Sequence, residues 1–267
     1  MNHNLITGST GFLGGRLLHF LNQNQPFPSI QISRTTTNWP SPSAISSIYH
    51  IAASVVYGLQ NGDDLYASNV KLTADLCRFY PEARFVFSST VSVYSPDGDS
   101  KTEKSGPGCS LPYGLSKLWA EQHVKGQNNH AIVRFSSLYG PGMNESTLIP
   151  RYCNQALEKG VIQVWGTGHR KQDYLHVDDA CSILQSAMMS TVNGTFLGTS
   201  GKSWSNNEIA EIIAGETGAK IQWVNEDNSP SSFYNNTITK TQLSWNPSVE
   251  IENGIKQYLE WKRKQSL

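Results

Sequence analysis

Asn4-Leu5-Ile6-Thr7-Gly8-Ser9-Thr10-Gly11-Phe12-Leu13-Gly14 is the stretch that decides the fold. A short apolar strand runs into glycines spaced GxxGxxG. From Phe12 to Leu21 the apolar positions 12, 13, 17, 18, 20 and 21 then follow the spacing of a helix packed on a sheet. A tight strand-to-helix turn needs positive φ, which glycine supplies at little cost. A missing side chain lets a pyrophosphate approach the free N–H groups at the helix N-terminus. The last glycine allows close helix–strand packing. Strand, glycine turn and amphipathic helix in this order predict a dinucleotide-binding βα unit.

Outward from that unit, strand and helix patterns alternate. Ser29–Ser33 reads as a strand, 34–46 as a Thr/Ser/Pro-rich connection, and Ile48–Ala53 as an apolar run. Asp63–Phe79 reads as helix, Arg84–Ser88 as strand, Pro112–Val124 as helix and His130–Phe135 as strand. The alternation predicts an α/β fold, a doubly wound parallel sheet covered on both faces. Beyond it, YGPG at 139–142 and WGTGH at 165–169 separate shorter elements. Helices are expected at 205–215 and 250–264, the first opened by a Ser205–Glu208 capping box. The expected division is 1–138 with 161–200 as the dinucleotide-binding domain, and 139–160 with 201–267 as a smaller substrate-binding region.

Composition narrows the function classes. The chain has 267 residues, 16% of them charged, with Lys plus Arg 21 balanced by Asp plus Glu 21. That balance gives no general attraction to nucleic acid or to an anionic membrane. No apolar run approaches the ~20 residues of a membrane span, and MNHNLITGSTG lacks the pattern of a secretory signal. Cys77, Cys109, Cys153 and Cys181 form no CxxC pair. They read as free thiols in a reducing compartment, which places the protein in the cytoplasm.

Tyr113-Gly-Leu-Ser-Lys117 sets a phenol and an ammonium four residues apart on one helix face. A free phenol, with a pKa near ~10, is a poor base at neutral pH. A neighbouring cation favours phenolate, which can exchange a proton with a substrate hydroxyl. Tyr258-Leu-Glu-Trp-Lys262 repeats the spacing, but on a terminal amphipathic helix that follows no strand-end hydroxyl, so it reads as packing. The first pair is preceded by Phe85-Val86-Phe87 running into Ser88-Ser89-Thr90. That places hydroxyls at the carboxyl end of a strand, where open parallel sheets bind ligands. The second strand ends in Ser33-Arg34, without the acidic residue that would hold a ribose 2′-OH. An arginine there suits a 2′-phosphate, so NADP is the expected cofactor, with NAD as the other option. His176 and Asp178–Asp179 read as a helix start with a carboxylate capping free N–H groups, not as a metal site.

Taken together, TGSTGFLG at 7–14, HIAAS at 50–54, Asn69 in SNV, FSSTVSVY at 87–94, PYGLSK at 112–117, RFSSLYGPG at 134–142, IPR at 149–151, VWGTG at 164–168, DYLHVDD at 173–179 and SNNEIAEII at 205–213 resemble one superfamily. It is the extended short-chain dehydrogenase/reductase superfamily, and within it the NAD-dependent epimerase/dehydratase family. The resemblance implies a Rossmann half and a smaller half that grips a nucleotide-sugar. It implies Thr90, Tyr113 and Lys117 as catalytic residues. It implies a cofactor site at Gly8, Thr10, Gly11, Phe12, Leu13, Gly14, Arg34, Ala52, Ala53, Asn69 and Ser88, together with Tyr113 and Lys117. It implies substrate contacts at Thr90, Ser137, Arg151, Arg170 and Gln172.

Departures from the family pattern carry information. The connection after Ser33 is too short for the usual helix and edge strand, so the adenine-side edge strand is expected to be shortened or missing. Val91-Ser92 follow Thr90 where sugar 4,6-dehydratases carry Asp-Glu. Without that acid and base, dehydration is not expected. Ser137 stands where the family has an asparagine on substrate phosphates, and Gln172 where it has an arginine on the pyrophosphate, with Arg170 close by. The expected activity is an NAD(P)-dependent 4-epimerase or 4-keto reductase of a nucleotide-sugar. The alternatives are an NADP(H)-dependent reductase of a non-nucleotide carbonyl substrate and a non-catalytic NADP(H)-binding regulator. A homodimer is allowed; nucleic-acid and membrane partners are not expected.

Overall fold

The computed structural model describes residues 3–24, 28–33, 36–55 and 62–265. β1 (His3–Thr7) turns into α1 (Phe12–Asn24), followed by β2 (Ser29–Ile32) and β3 (Ile45–His50). One helical rod comes next: α2 (Gly62–Leu65), a π-helical turn (Tyr66–Lys71) and α3 (Leu72–Phe79). Then come β4 (Arg84–Thr90), the short β5 (Ser100–Lys101), α4 (Pro112–Lys125), β6 (His130–Phe135) and β7 (Ser137–Tyr139). α5 (Leu148–Lys159), β8 (Val161–Trp165), β9 (Lys171–His176), α6 (Val177–Met189) and β10 (Gly194–Gly198) continue the chain. It closes with β11 (Ser203–Ser205), α7 (Asn206–Thr217), β12 (Lys220–Val224), β13 (Phe233–Tyr234), α8 (Thr237–Gln242) and α9 (Ile251–Gln265).

Six parallel strands form the central sheet in the order β10-β6-β4-β3-β1-β2. The period-two alternation of β4 sends Val86 into the core with Leu13, Leu17 and Ile183, on the side of α1 and α6. Phe85 and Phe87 go to the opposite core with Leu76, Ala120 and Val124, on the side of α3 and α4. Burying one such side chain contributes about 1.5–3 kcal/mol. A third core joins α5, α7 and α9 beneath β8, with Ile162, Ile213 and Tyr258 fully buried. Around it β9 pairs with β7 in parallel and with β11 antiparallel, while β8 pairs with β12.

The short connection after Ser33 leaves β2 at the edge of the sheet; no further strand pairs with it among the described residues. Among the described residues of the connection, a three-residue turn, Pro42–Ala44, is the one helical element before β3. β3 also begins earlier and ends earlier than the apolar run suggests. The N–H groups of Ile51 and Ala52 donate to Thr7 Oγ1 (3.1 and 3.0 Å) instead of to a strand, which turns the chain out of the sheet.

At α7 the capping box forms as read: Glu208 N donates to Ser205 Oγ (3.1 Å) and Ser205 N to Glu208 Oε2 (2.7 Å). At α6 the expected carboxylate cap is corrected. The His176 imidazole is the cap, its Nδ1 accepting from Asp178 N at 3.3 Å. Both carboxylates are engaged elsewhere. Asp178 takes a two-pronged ion pair from Arg16 (2.5 and 2.9 Å), and Asp179 accepts from Ser248 N, Ser248 Oγ and Val249 N ahead of α9.

Candidate functional site

β1, β2, β3 and β4 all end at one cavity of about 1360 Å³, which runs on beneath β7 and α5 to β8 and β9. Ligand pockets for a single small molecule are usually about 300–1,000 Å³, so this one has room for two.

The three glycines of the first turn have separate reasons. Gly8 has φ +72°, and a Cβ there would come within 2.7 Å of Ala52 N. A Cβ on Gly14 would collide with the Gly8 carbonyl. Gly11 differs: a Cβ there meets only the Gly8 carbonyl oxygen, at an ordinary 3.4 Å. Nothing inside the protein requires Gly11 to be glycine, yet it lines the cavity at the start of α1. Its bare backbone suits a group from outside, and an anion is what a helix start favours. Thr10, Phe12 and Leu13 from the same turn, and Ala52, Ala53 and Ser88 across the cleft, line the same space. Arg34 lies outside the described residues.

Thr90, Tyr113 and Lys117 all line the cavity at its middle. Thr90 closes β4 and its Oγ1 accepts from Ser92 N (3.1 Å) while donating to Ser92 Oγ (3.1 Å). Tyr113 and Lys117 share a face of α4, with Pro112 at the helix's first turn. Gly114 lets that turn press against the Ser92 carbonyl. Lys117 is 1% exposed and lies 4.1 Å above the centre of the Phe87 ring. Burial pulls its ammonium down to about 7, with Glu121 acting the other way.

Two buried networks hold this middle in place. Glu121, one turn after Lys117, accepts from Ser89 Oγ (2.6 Å) and from both prongs of Arg134 (2.9 and 2.6 Å). Arg134 also donates to Tyr94 OH at 2.8 Å. α4 is thereby tied to β4 and β6 beside Thr90. On the other side, Thr73 Oγ1 donates to the Asn69 carbonyl (2.6 Å) and so accepts from His50 Nε2 (2.8 Å). His50 Nδ1 must then accept from Thr7 Oγ1 (2.7 Å). Burial, with Lys117 nearby, pulls His50 down to about 3, so it stays neutral. Asn69 itself does not line the cavity. Its side chain accepts from Ser54 N (2.7 Å) and donates to Ser54 O (3.0 Å) and Ser116 Oγ (3.0 Å). It joins the HIAAS segment to the helix carrying Tyr113 and Lys117.

At the far end Ser137, Arg151, Arg170 and Gln172 line the cavity. Gln172 Nε2 donates to Tyr174 OH (3.1 Å), and the Arg170 Nε bond to the Pro230 carbonyl is long at 3.4 Å. Sequence reasoning passed over Trp39, Tyr152, Gln155, Gln163, Trp165 and Asp227, which also line the space. Two of these had a readable signal: Trp39 is the one aromatic residue of a polar connection, and Trp165 opens the WGTG turn at an exposed strand position. Tyr258 and Lys262 do not line this cavity. Tyr258 is fully buried against Trp261 (5.5 Å), and Lys262 pairs with Glu145.

A parallel Rossmann sheet, a glycine turn at a helix start and a Tyr/Lys helix over strand-end hydroxyls define the extended short-chain dehydrogenase/reductase class of enzymes. Residues 4–195 match the NAD dependent epimerase/dehydratase family, and the chain belongs to that family. Among curated relatives, a putative UDP-glucose 4-epimerase of Methanocaldococcus jannaschii is 24% identical, over 96% of this chain and 97% of that protein. A UDP-glucuronate 4-epimerase of Thermodesulfobacterium geofontis is 25% identical, over 98% and 97%. A solved UDP-glucuronic acid 4-epimerase from Bacillus cereus, in complex with NAD, shares the fold. Its TM-score is 0.86 at 19% identity, covering 99% of this chain and 100% of that one. No helix among the described residues is long and apolar enough to cross a membrane.

Proposed function

We propose that this protein is an NAD(P)-dependent enzyme that epimerises a nucleotide-sugar at C4. The carrying observation is the single cavity that joins the glycine turn, the Thr90/Tyr113/Lys117 group and two arginines, Arg151 and Arg170. The bare Gly11 backbone and the helix start behind it would hold a dinucleotide's phosphates, and Lys117 its nicotinamide ribose. A bound nicotinamide supplies hydride acceptance and return. Tyr113 takes the proton of the sugar hydroxyl and later gives it back, Thr90 hydrogen-bonds the same oxygen, and the Lys117 ammonium favours the phenolate. Arg151 and Arg170 offer the planar donor forks that suit diphosphate. Two relatives that align along nearly the whole chain are named as 4-epimerases. Val91 and Ser92 provide no acid after Thr90, which supports epimerisation over dehydration.

Melting curves against NAD, NADP and a panel of UDP-, GDP- and dTDP-sugars test this reading, because a ligand that binds only the folded state raises Tm. The expected result is a rise with a dinucleotide and a further rise with one sugar nucleotide. NADP is expected to bind at least as tightly as NAD: the first 62 residues contain no Asp or Glu to repel a 2′-phosphate. Turnover without net NAD(P)H consumption supports the epimerase; stoichiometric consumption points to the 4-keto reductase. No response to any sugar nucleotide would overturn the substrate class.

Gly11→Val is expected to keep the fold and lose dinucleotide binding, because its added methyls meet ligand space and not protein. Gly14→Val is expected to lose the fold through the collision with the Gly8 carbonyl. Fluorescence titration with NADPH, with circular dichroism as the folding check, separates the two. Unchanged affinity in Gly11→Val would show that the phosphates bind elsewhere.

A further inference from the structure

We propose that Trp39 is the adenine-binding wall of the cofactor cleft, an aromatic replacement for the edge unit that is missing among the described residues. The inference rests on the reading that the cavity takes a dinucleotide. In doubly wound sheets the adenosine lies beyond the end of the second strand, held by an acidic residue on its ribose. Here that strand ends at Ile32 and Ser33, and the first carboxylate in the chain is Asp63. Ribose recognition by an acid from the first three strands is therefore absent from the sequence itself. The connection that replaces the usual helix and strand brings Trp39 to the cavity beside Ile32, Ser33 and Leu72.

The indole is held before any ligand arrives. It stacks on Tyr80, with centroids 6.2 Å apart and an interplanar angle of 16°, and meets Phe79 edge-on, at 5.5 Å and 86°. Tyr80 is 1% exposed, and its hydroxyl donates to the Pro40 carbonyl at 3.0 Å, pinning the residue next to Trp39. A ring fixed in this way loses little freedom when a flat base packs on it. Ile32 and Leu72 complete an apolar end to the cleft. A purine ring fits such a wall, whereas an anion does not.

The test uses ADP-ribose as the probe, titrated calorimetrically into the wild type, Trp39→Phe and Trp39→Leu, with melting curves as the folding check. Phenylalanine keeps an aromatic face, while leucine keeps apolar bulk only. Since loss of a stacked aromatic weakens base binding roughly fivefold or more, Trp39→Leu is expected to lose at least that and Trp39→Phe no more than about threefold. Nicotinamide mononucleotide, which has no adenine, is expected to bind all three proteins alike. Equal ADP-ribose affinity in folded Trp39→Leu and wild type would overturn the proposal and leave the cofactor reading standing. A wild type that binds neither ADP-ribose nor NAD(P)H would overturn the cofactor reading and this proposal with it.

Discussion

Tyr113→Phe is expected to lower turnover by about 10²–10⁴-fold, the usual share of a positioned acid–base group, while dinucleotide affinity stays within a few-fold. The substitution removes one oxygen from a side chain that lines the cavity on the first turn of α4. The proposed proton path ends at that oxygen, whereas the glycine turn and Lys117, proposed to hold the dinucleotide, are untouched. Tyr258→Phe is the internal control, because it has the same spacing to a lysine. Its hydroxyl is buried and has no hydrogen-bond partner among the described residues, so removing it is expected to leave activity unchanged. Steady-state rates and NADPH titration on both variants give the answer. Near-normal turnover in Tyr113→Phe, or equal losses at both tyrosines, would remove Tyr113 from the mechanism.

Lys117→Met is expected to abolish turnover and yet stabilise the ligand-free protein. The folded-state ammonium sits at about 7, below its ordinary value of 10.5, because burial disfavours the charge. Between those values the unfolded chain binds more protons than the folded one. Stability contributed by this group is therefore full above the unfolded value, falls as pH drops from there, and is lost by about pH 7. Methionine has similar length, no charge, and a sulfur suited to the Phe87 ring. Its advantage over lysine should be about 2–4 kcal/mol near ~pH 6 and shrink toward zero near ~pH 10. Denaturant unfolding across that range measures it. A difference independent of pH would mean that the ammonium is not desolvated in the folded state.

The parts of the structure legible in the sequence are those set by local chemistry. The glycine turn, the six-residue β6 and the Ser205–Glu208 box each depend on residues within one turn or strand. Tyr113 and Lys117 stand out by their spacing after strand-end hydroxyls, the resemblance picks Thr90 from those hydroxyls, and the sheet brings all three to one cavity. What could not be read depends on partners distant in the chain. Asn69 carries the same amide whether it faces a ligand or Ser54 and Ser116, and only the packing of the π-helical turn on α4 decides. At α6 both an imidazole and a carboxylate could cap, and Arg16, 162 positions away, draws Asp178 aside. Trp39 takes its place from Tyr80, which lies across a connection and a helix.

The position of β2 at the edge of the described sheet also has a consequence for how the molecule behaves among its own copies. β2 now presents one row of backbone donors and acceptors that no strand of the described residues covers, and an open row of that kind is a template for self-pairing. Two features blunt it. β2 is only four residues long, and Pro28, immediately before it, cannot extend the ladder with an N–H of its own. A trimmed sheet stays safe when the strand it uncovers is short, so the brevity of Ser29–Ile32 is part of what makes the missing unit dispensable.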